Sequence, residues 1–129
     1  MVRKMFIVDD DADDRDEFRR AIESIDPEIR VTLATDGEDA FRRLAGIRPD
    51  VIFLDVVMPG MDGIECLTKL KSNRNTKHIP VIIYTASLNK PENELAIRLG
   101  AFQLLSKTRH FENLCSDIRR ILTVLNRNN

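Results

Sequence analysis

At 129 residues, with 43% hydrophobic and 32% charged side chains, the chain is sized for one globular domain around one core, and lies outside the compositions of disordered or fibrous proteins. A net charge of -1 and a pI near 6.1 provide no basic face or stripe for nucleic acid. Its apolar runs fall short of the ~20 residues of a membrane span and of the signal-peptide core of about 7 to 15, so a cytoplasmic protein is expected.

The first strand candidate is "MFIV", residues 5–8, and six aspartates follow it within residues 9–16, "DDDADDRD". Phe18, Ala21, Ile22 and Ile25 then recur at helical spacing. A second strand, "IRVTLA" (29–34), alternates apolar with polar residues and leads to a shorter helix carrying Ala40, Phe41 and Leu44. The third strand, "VIFL" (51–54), precedes a helix with Ile64, Leu67 and Leu70, and the fourth, "VIIYT" (81–85), precedes the weakest helical pattern, Pro91 to Leu99. There Leu95, Ile97 and Leu99 make a poor stripe, and Gly100 is suited to end the helix. "FQLLS" (102–106) is the fifth strand, and Phe111, Leu114, Cys115, Ile118, Ile121, Leu122 and Leu125 form the one continuous stripe of the last helix. Cys115 lies on that stripe and Cys66 far from it, with neither zinc-ligand nor disulfide-framework spacing; both read as small core hydrophobes.

Five strands alternating with five helices imply right-handed crossovers and a parallel sheet covered on both faces, an α/β doubly wound (βα)5 fold. Strands one, three and four are almost wholly apolar, as burial on both faces requires. Strands two and five carry polar residues and are therefore the edges, which fits the flavodoxin-like order 2-1-3-4-5. No repeat or linker divides residues 1–129, so a single domain without an output domain is expected.

In such a sheet ligands bind beyond the carboxyl ends of the strands. The residues falling there are Asp9 and Asp10, Asp55, Thr85 with Ala86, and Lys107. Adjacent first and third strands bring the three aspartates within several ångströms, where like charges disfavour joint ionisation. A hard divalent cation, Mg²⁺ or Mn²⁺, resolves that conflict: oxygen donors without histidine or cysteine suit it, and a phosphoryl oxygen can complete its shell. Asp55 then offers a carboxylate nucleophile, Lys107 neutralises charge on a transferring phosphoryl group, and Thr85 hydrogen-bonds one of its oxygens.

With Asp9-Asp10 after "MFIV", "VIFLDVVMPGMDG" over 51–63, Thr85-Ala86 after "VIIY" and Lys107 after "FQLLS", the whole chain resembles the receiver domains of two-component response regulators. The resemblance implies that Asp55 is the phosphoacceptor, served by a sensor histidine kinase or a histidine phosphotransfer protein. It implies that Asp10, Asp55 and the backbone carbonyl of Val57 ligate the metal, with Asp9 acting through a bound water. It further implies that Lys107 pairs with the phosphoryl group and that Thr85 couples it to the region between strand 4 and helix 4. Such a protein is a signalling domain rather than an enzyme, catalysing only its own phosphorylation and dephosphorylation. It would act as a relay or by docking a target on its helix 4, strand 5, helix 5 face, with no membrane or nucleic-acid contact.

Asp11, Asp13, Asp14 and Asp16 read instead as a solvated face at the start of the first helix, where negative charge is favoured. An EF-hand reading of the run fails, because Asp14 stands for the turn glycine and Arg20 for the bidentate glutamate. A D-x-D phosphatase with Asp9 as nucleophile and Asp11 as acid needs a larger chain with cap elements. A receiver that never takes phosphate and serves as a constitutive interaction module is a further alternative, opposed by the intact acidic site. Two histidines are set aside: His78 precedes strand 4 and falls at the far edge of the sheet, and His110 reads as a surface residue at a helix start. Tyr84 is expected to pack beside helix 4 or 5, and Gly63 to lend backbone freedom before helix 3.

Three positions depart from the family pattern. Leu104 stands where an aromatic residue often swings inward on activation, so that part of the switch is expected to be missing. Thr108 replaces a proline usually preceded by a cis bond; a cis bond before threonine costs about 2.5 to 4 kcal/mol, so a trans bond is expected. Val57 sets an apolar side chain beside the acyl phosphate, which predicts slow self-dephosphorylation.

Overall fold

The computed structural model describes residues 1–56, 62–86, 90–107 and 110–127. Five strands, β1 (Lys4–Val8), β2 (Arg30–Ala34), β3 (Val51–Asp55), β4 (Val81–Thr85) and β5 (Gln103–Ser106), alternate with α1 (Ala12–Ile25), α2 (Gly37–Leu44), α3 (Gly63–Ser72), α4 (Lys90–Arg98) and α5 (Phe111–Arg127). All neighbouring strands are parallel, in the order β2-β1-β3-β4-β5. Every residue of β3 and β4 is buried, whereas β2 and β5 are partly exposed, as edge strands must be.

Alternation along each strand divides the interior into two cores. Met5, Ile7, Phe53, Ile82 and Tyr84 face α1 and α5, where Phe18 stacks at 4.8 Å from Phe53 and 5.3 Å from Tyr84. Phe6, Val8, Leu54 and Ile83 face the other way, toward Ala40, Leu67, Leu70 and Ala96 of α2, α3 and α4. Helix starts are fixed by aspartate caps: Asp11 accepts from the Asp13 and Asp14 amides, Asp36 from that of Asp39, and Asp62 from that of Glu65. Helix α4 exists despite its poor stripe because small Ala96 is what it buries, leaving Leu95 and Ile97 outside. Gly100, at φ +107°, ends it as expected, with the Ala101 amide returning to the Ala96 carbonyl at 3.0 Å.

Gly63 is needed for space rather than for the backbone freedom expected of it. Among the described residues only Gly100 has a positive φ. A Cβ at Gly63 would instead overlap the Val56 Cα and the Asp55 carbonyl oxygen, because the Gly63 amide donates to the Val56 carbonyl at 2.8 Å. At the opposite edge of the sheet Asp50 Oδ2 accepts from the Arg3 and Lys4 amides at 2.8 and 2.9 Å, and Asn126 Oδ1 from the Val2 amide at 2.8 Å.

Asp39, in the first turn of α2, is buried yet charged. The Thr35 amide donates to it at 3.0 Å, Arg43 Nε donates at 3.0 Å, and Arg42 also pairs with it. The Thr35 bond first, then Arg43 and Arg42, outweigh burial and hold its carboxyl at about 2, below the usual 3.8. A carboxyl whose pKa is lower folded than unfolded stabilises the fold above the unfolded value and loses that contribution as pH falls through the folded one. Wild type should therefore lose on the order of 1 kcal/mol more than Asp39→Asn between about pH 4 and pH 2, after allowing for screening of the exposed arginines. Urea midpoints of the two proteins across that range are the measurement; parallel curves would show that Asp39 contributes nothing ionic.

Candidate functional site

Strand register sets the site. Val8 pairs with Leu54 and Asp55 with Tyr84, so Asp9, Asp55 and Tyr84 leave the sheet on one rung and on the α1/α5 side. Thr85, one residue on, has the opposite parity and is buried. Its carbonyl accepts from the Lys107 amide at 2.8 Å, which fixes where β5 releases the lysine.

Asp9 is wholly buried and Asp55 nearly so, while Asp10 is exposed. One carboxylate oxygen from each of the three lies within 4.8 Å of the others. Lys107 reaches into this cluster, its Nζ donating to Asp55 Oδ2 at 2.8 Å, Asp9 Oδ2 at 3.0 Å and Asp14 Oδ2 at 2.8 Å. Burial works against that ammonium, but the three carboxylates outweigh it and raise the lysine above its ordinary range. Asp9 is further fixed by the Asp11 amide on Oδ1 at 2.9 Å and by Arg15 on its carbonyl at 2.7 Å.

The expected site residues Asp9, Asp10, Asp55, Thr85 and Lys107 thus converge at one edge of the sheet, whereas Val57 and Thr108 lie outside the described residues. His78 is exposed before β4 and His110 is exposed before α5, as expected. Asp14 is different from expectation: it does not simply face solvent but pairs with Lys107. The signal was available, since Asp14 lies four residues before Phe18 and continues the inward stripe of α1. Tyr84 packs on the α5 side, as one arm of the expectation had it, and against Phe18 of α1, and its hydroxyl donates to Asp9 Oδ2 at 2.8 Å. Burial first, then the Asp9 charge, drives its phenol well above the usual range, so it stays a donor. Its parity with Asp55 along the sheet was the readable clue.

Three carboxylates of which one is solvent-facing, with oxygen donors only, make a set suited to a hard divalent cation. Residues 5–119 match the family described as the response regulator receiver domain. The chain belongs to that family. Response regulator MprA of Mycolicibacterium vanbaalenii is 33% identical to this receiver domain over 119 residues, 92% of this chain and 50% of that protein. The chain spans half or less of the length of the curated relatives it matches. Among solved structures, the phosphorylated cyanobacterial phytochrome response regulator RcpA is similar with a TM-score of 0.85 and 26% identity, covering 94% of this chain and 91% of that one. The Mn²⁺-bound form of response regulator Rcp1 is similar with a TM-score of 0.82 and 25% identity, covering 92% and 91%. The protein is therefore a receiver domain of two-component signalling with the flavodoxin-like strand order expected of it. Among the described residues no helix is long and apolar enough to cross a membrane.

Proposed function

We propose that this receiver domain takes a phosphoryl group on Asp55 from a sensor histidine kinase or a histidine phosphotransfer protein. The observation that carries this reading is the Asp55 carboxylate set beside two further aspartates and 2.8 Å from the Lys107 ammonium. Relatives described as phosphorylated and as Mn²⁺-bound support it. In the transfer an Asp55 carboxylate oxygen forms a bond to phosphorus while the bond from phosphorus to the donor breaks. The leaving imidazole, or acetate from acetyl phosphate, departs with the electron pair. Lys107 places positive charge beside the phosphoryl oxygens, and the Thr85 hydroxyl offers one of them a hydrogen bond.

Asp10, Asp55 and the Val57 carbonyl would hold Mg²⁺ or Mn²⁺ directly and Asp9 through water, and the cation would supply positive charge in addition to that of the lysine. Downstream, the protein relays the group or docks a target through the face of α4, β5 and α5, where Leu104 lies in a groove with Asn93, Ile97 and Arg98. In this reading residues 1–129 act as a single cytoplasmic signalling domain whose only chemistry is its own phosphorylation and dephosphorylation.

Intact mass after incubation with acetyl phosphate and Mg²⁺ tests the reading. A gain of one phosphoryl group that needs the metal is expected; an unchanged mass with folded, metal-bound protein and with a phosphorylated histidine donor would overturn it.

A further inference from the structure

An ammonium group has three N–H donors, and in this protein all three of Lys107 are engaged, by Asp9, Asp14 and Asp55. A phosphoryl group on Asp55 inherits the Asp55 contact, and to gain a second donor from Lys107 it has to displace Asp9 or Asp14. Asp55 is the reacting group and 3% exposed, so the contact it gives up passes to its own phosphoryl group, and any second donor for that group's further oxygens comes from Asp9 or Asp14. Asp9 is 0% exposed and is also gripped by Tyr84 and the Asp11 amide, so it has no water to move into. Asp14 alone has a way out. Its side chain is 38% exposed, it stands in the first turn of α1 where a carboxylate is favoured, and it borders a crevice between α1 and α5 that Glu17, Leu114 and Asp117 also line.

We propose that Asp14 is a positioning residue that occupies the Lys107 ammonium in the unphosphorylated protein and yields it to the phosphoryl group. The proposal rests on Asp55 being the phosphoacceptor and adds a brake to it. Before transfer, Asp14 engages the donor that the incoming phosphoryl oxygens need and adds a negative charge that repels an anionic phosphodonor. The covalent step is unaltered: the bond from Asp55 to phosphorus forms, the bond from phosphorus to the donor's acyl oxygen breaks, and acetate leaves with the electron pair. Asp14 exchanges no proton.

The test compares wild type, Asp14→Asn, Asp14→Glu and Asp13→Asn. Asp13 is the exposed neighbour on the same turn, so its variant removes the same charge without touching Lys107. Phosphorylation by acetyl phosphate in Mg²⁺ is followed by intact mass and by tyrosine fluorescence, which reports on the site because Tyr84 is the one tyrosine and the chain has no tryptophan. Asp14→Asn should raise the second-order rate about three- to tenfold, chiefly through the half-saturating donor concentration, with Asp13→Asn within about twofold and Asp14→Glu near wild type. A readout independent of phosphorylation is the side-chain Nζ–H signal of Lys107 by NMR without metal or donor. Its exchange with water should quicken in Asp14→Asn and not in Asp13→Asn. Equal or slower phosphorylation of Asp14→Asn, with wild type phosphorylated normally, would overturn the brake alone. No phosphorylation of any of the four proteins would overturn the phosphoacceptor reading and the brake with it.

Discussion

Asp55→Asn is expected to take up no phosphoryl group while remaining as well folded as wild type. The amide nitrogen that replaces a carboxylate oxygen carries no negative charge and its lone pair is delocalised, so the nucleophile is gone and the mass gain expected with acetyl phosphate and Mg²⁺ should fall from one phosphoryl to none. Stability should not follow activity. The substitution weakens one of three contacts to Lys107, but it also removes one of three mutually repelling carboxylates whose oxygens lie within 4.8 Å. A larger difference should show when Mg²⁺ is added. A ligand that binds only the folded form stabilises it by about 1.4 kcal/mol at ten times its dissociation constant, and the variant should gain much less from the same addition. Urea unfolding with and without Mg²⁺ measures both quantities; an equal metal-induced gain in the two proteins would remove Asp55 from the metal site.

Gly63→Ala should be strongly destabilising for a single added methyl. The added Cβ meets backbone rather than a flexible side chain, namely the Val56 Cα and the Asp55 carbonyl, and neither can move without shifting the end of β3. Overpacking of this kind, with the Gly63 to Val56 hydrogen bond also at risk, costs about 3 kcal/mol or more. Gly46→Ala is the matched control, since a Cβ there meets only the Arg43 carbonyl at 3.9 Å. Urea midpoints should fall sharply for the first and stay near wild type for the second. Because the obstructed backbone is that of Asp55, the surviving Gly63→Ala protein should also bind Mg²⁺ more weakly, and a variant of wild-type stability would refute the steric account.

The sheet was legible from apolar runs because burial on both faces leaves a strand little choice of composition. Edge strands β2 and β5 betrayed themselves by the polar residues that a one-sided environment tolerates. That Asp9, Asp10, Asp55, Thr85 and Lys107 end at one edge was legible for a related reason: a parallel sheet sends the ends of its strands to one side, so position in the chain predicts position in space. Asp14 and Tyr84 were not read, although each followed from a periodicity already in use. Asp14 continues the stripe of Phe18 and Ile22, and Tyr84 shares its strand face with Ile82 and the rung of Asp55. Charge in one case and an aromatic ring in the other suggested surface and core, although the rung that Tyr84 shares with Asp55 sets its hydroxyl near carboxylates. Gly63 was singled out correctly for the wrong property, because its steric contact with the Asp55 and Val56 backbone depends on how the chain returns to the end of β3 and not on its own φ.

The clamp at the far edge, where Asp50 takes the Arg3 and Lys4 amides and Asn126 takes that of Val2, bears on what repeated signalling demands of a small fold. A strand of this length sets it roughly 15 Å from the charged edge, beyond the ~8 Å over which an exposed charge is felt in physiological salt. Adding and removing a phosphoryl group therefore leaves that edge electrostatically unaware of the event. Amide exchange at Arg3 and Lys4 should accordingly be as slow in the phosphorylated protein as in the free one, while amides around Asp9 and Asp11 change. On the phosphoacceptor reading, the domain can be charged and discharged at one end while the hydrogen bonds of Asp50 and Asn126 hold the other.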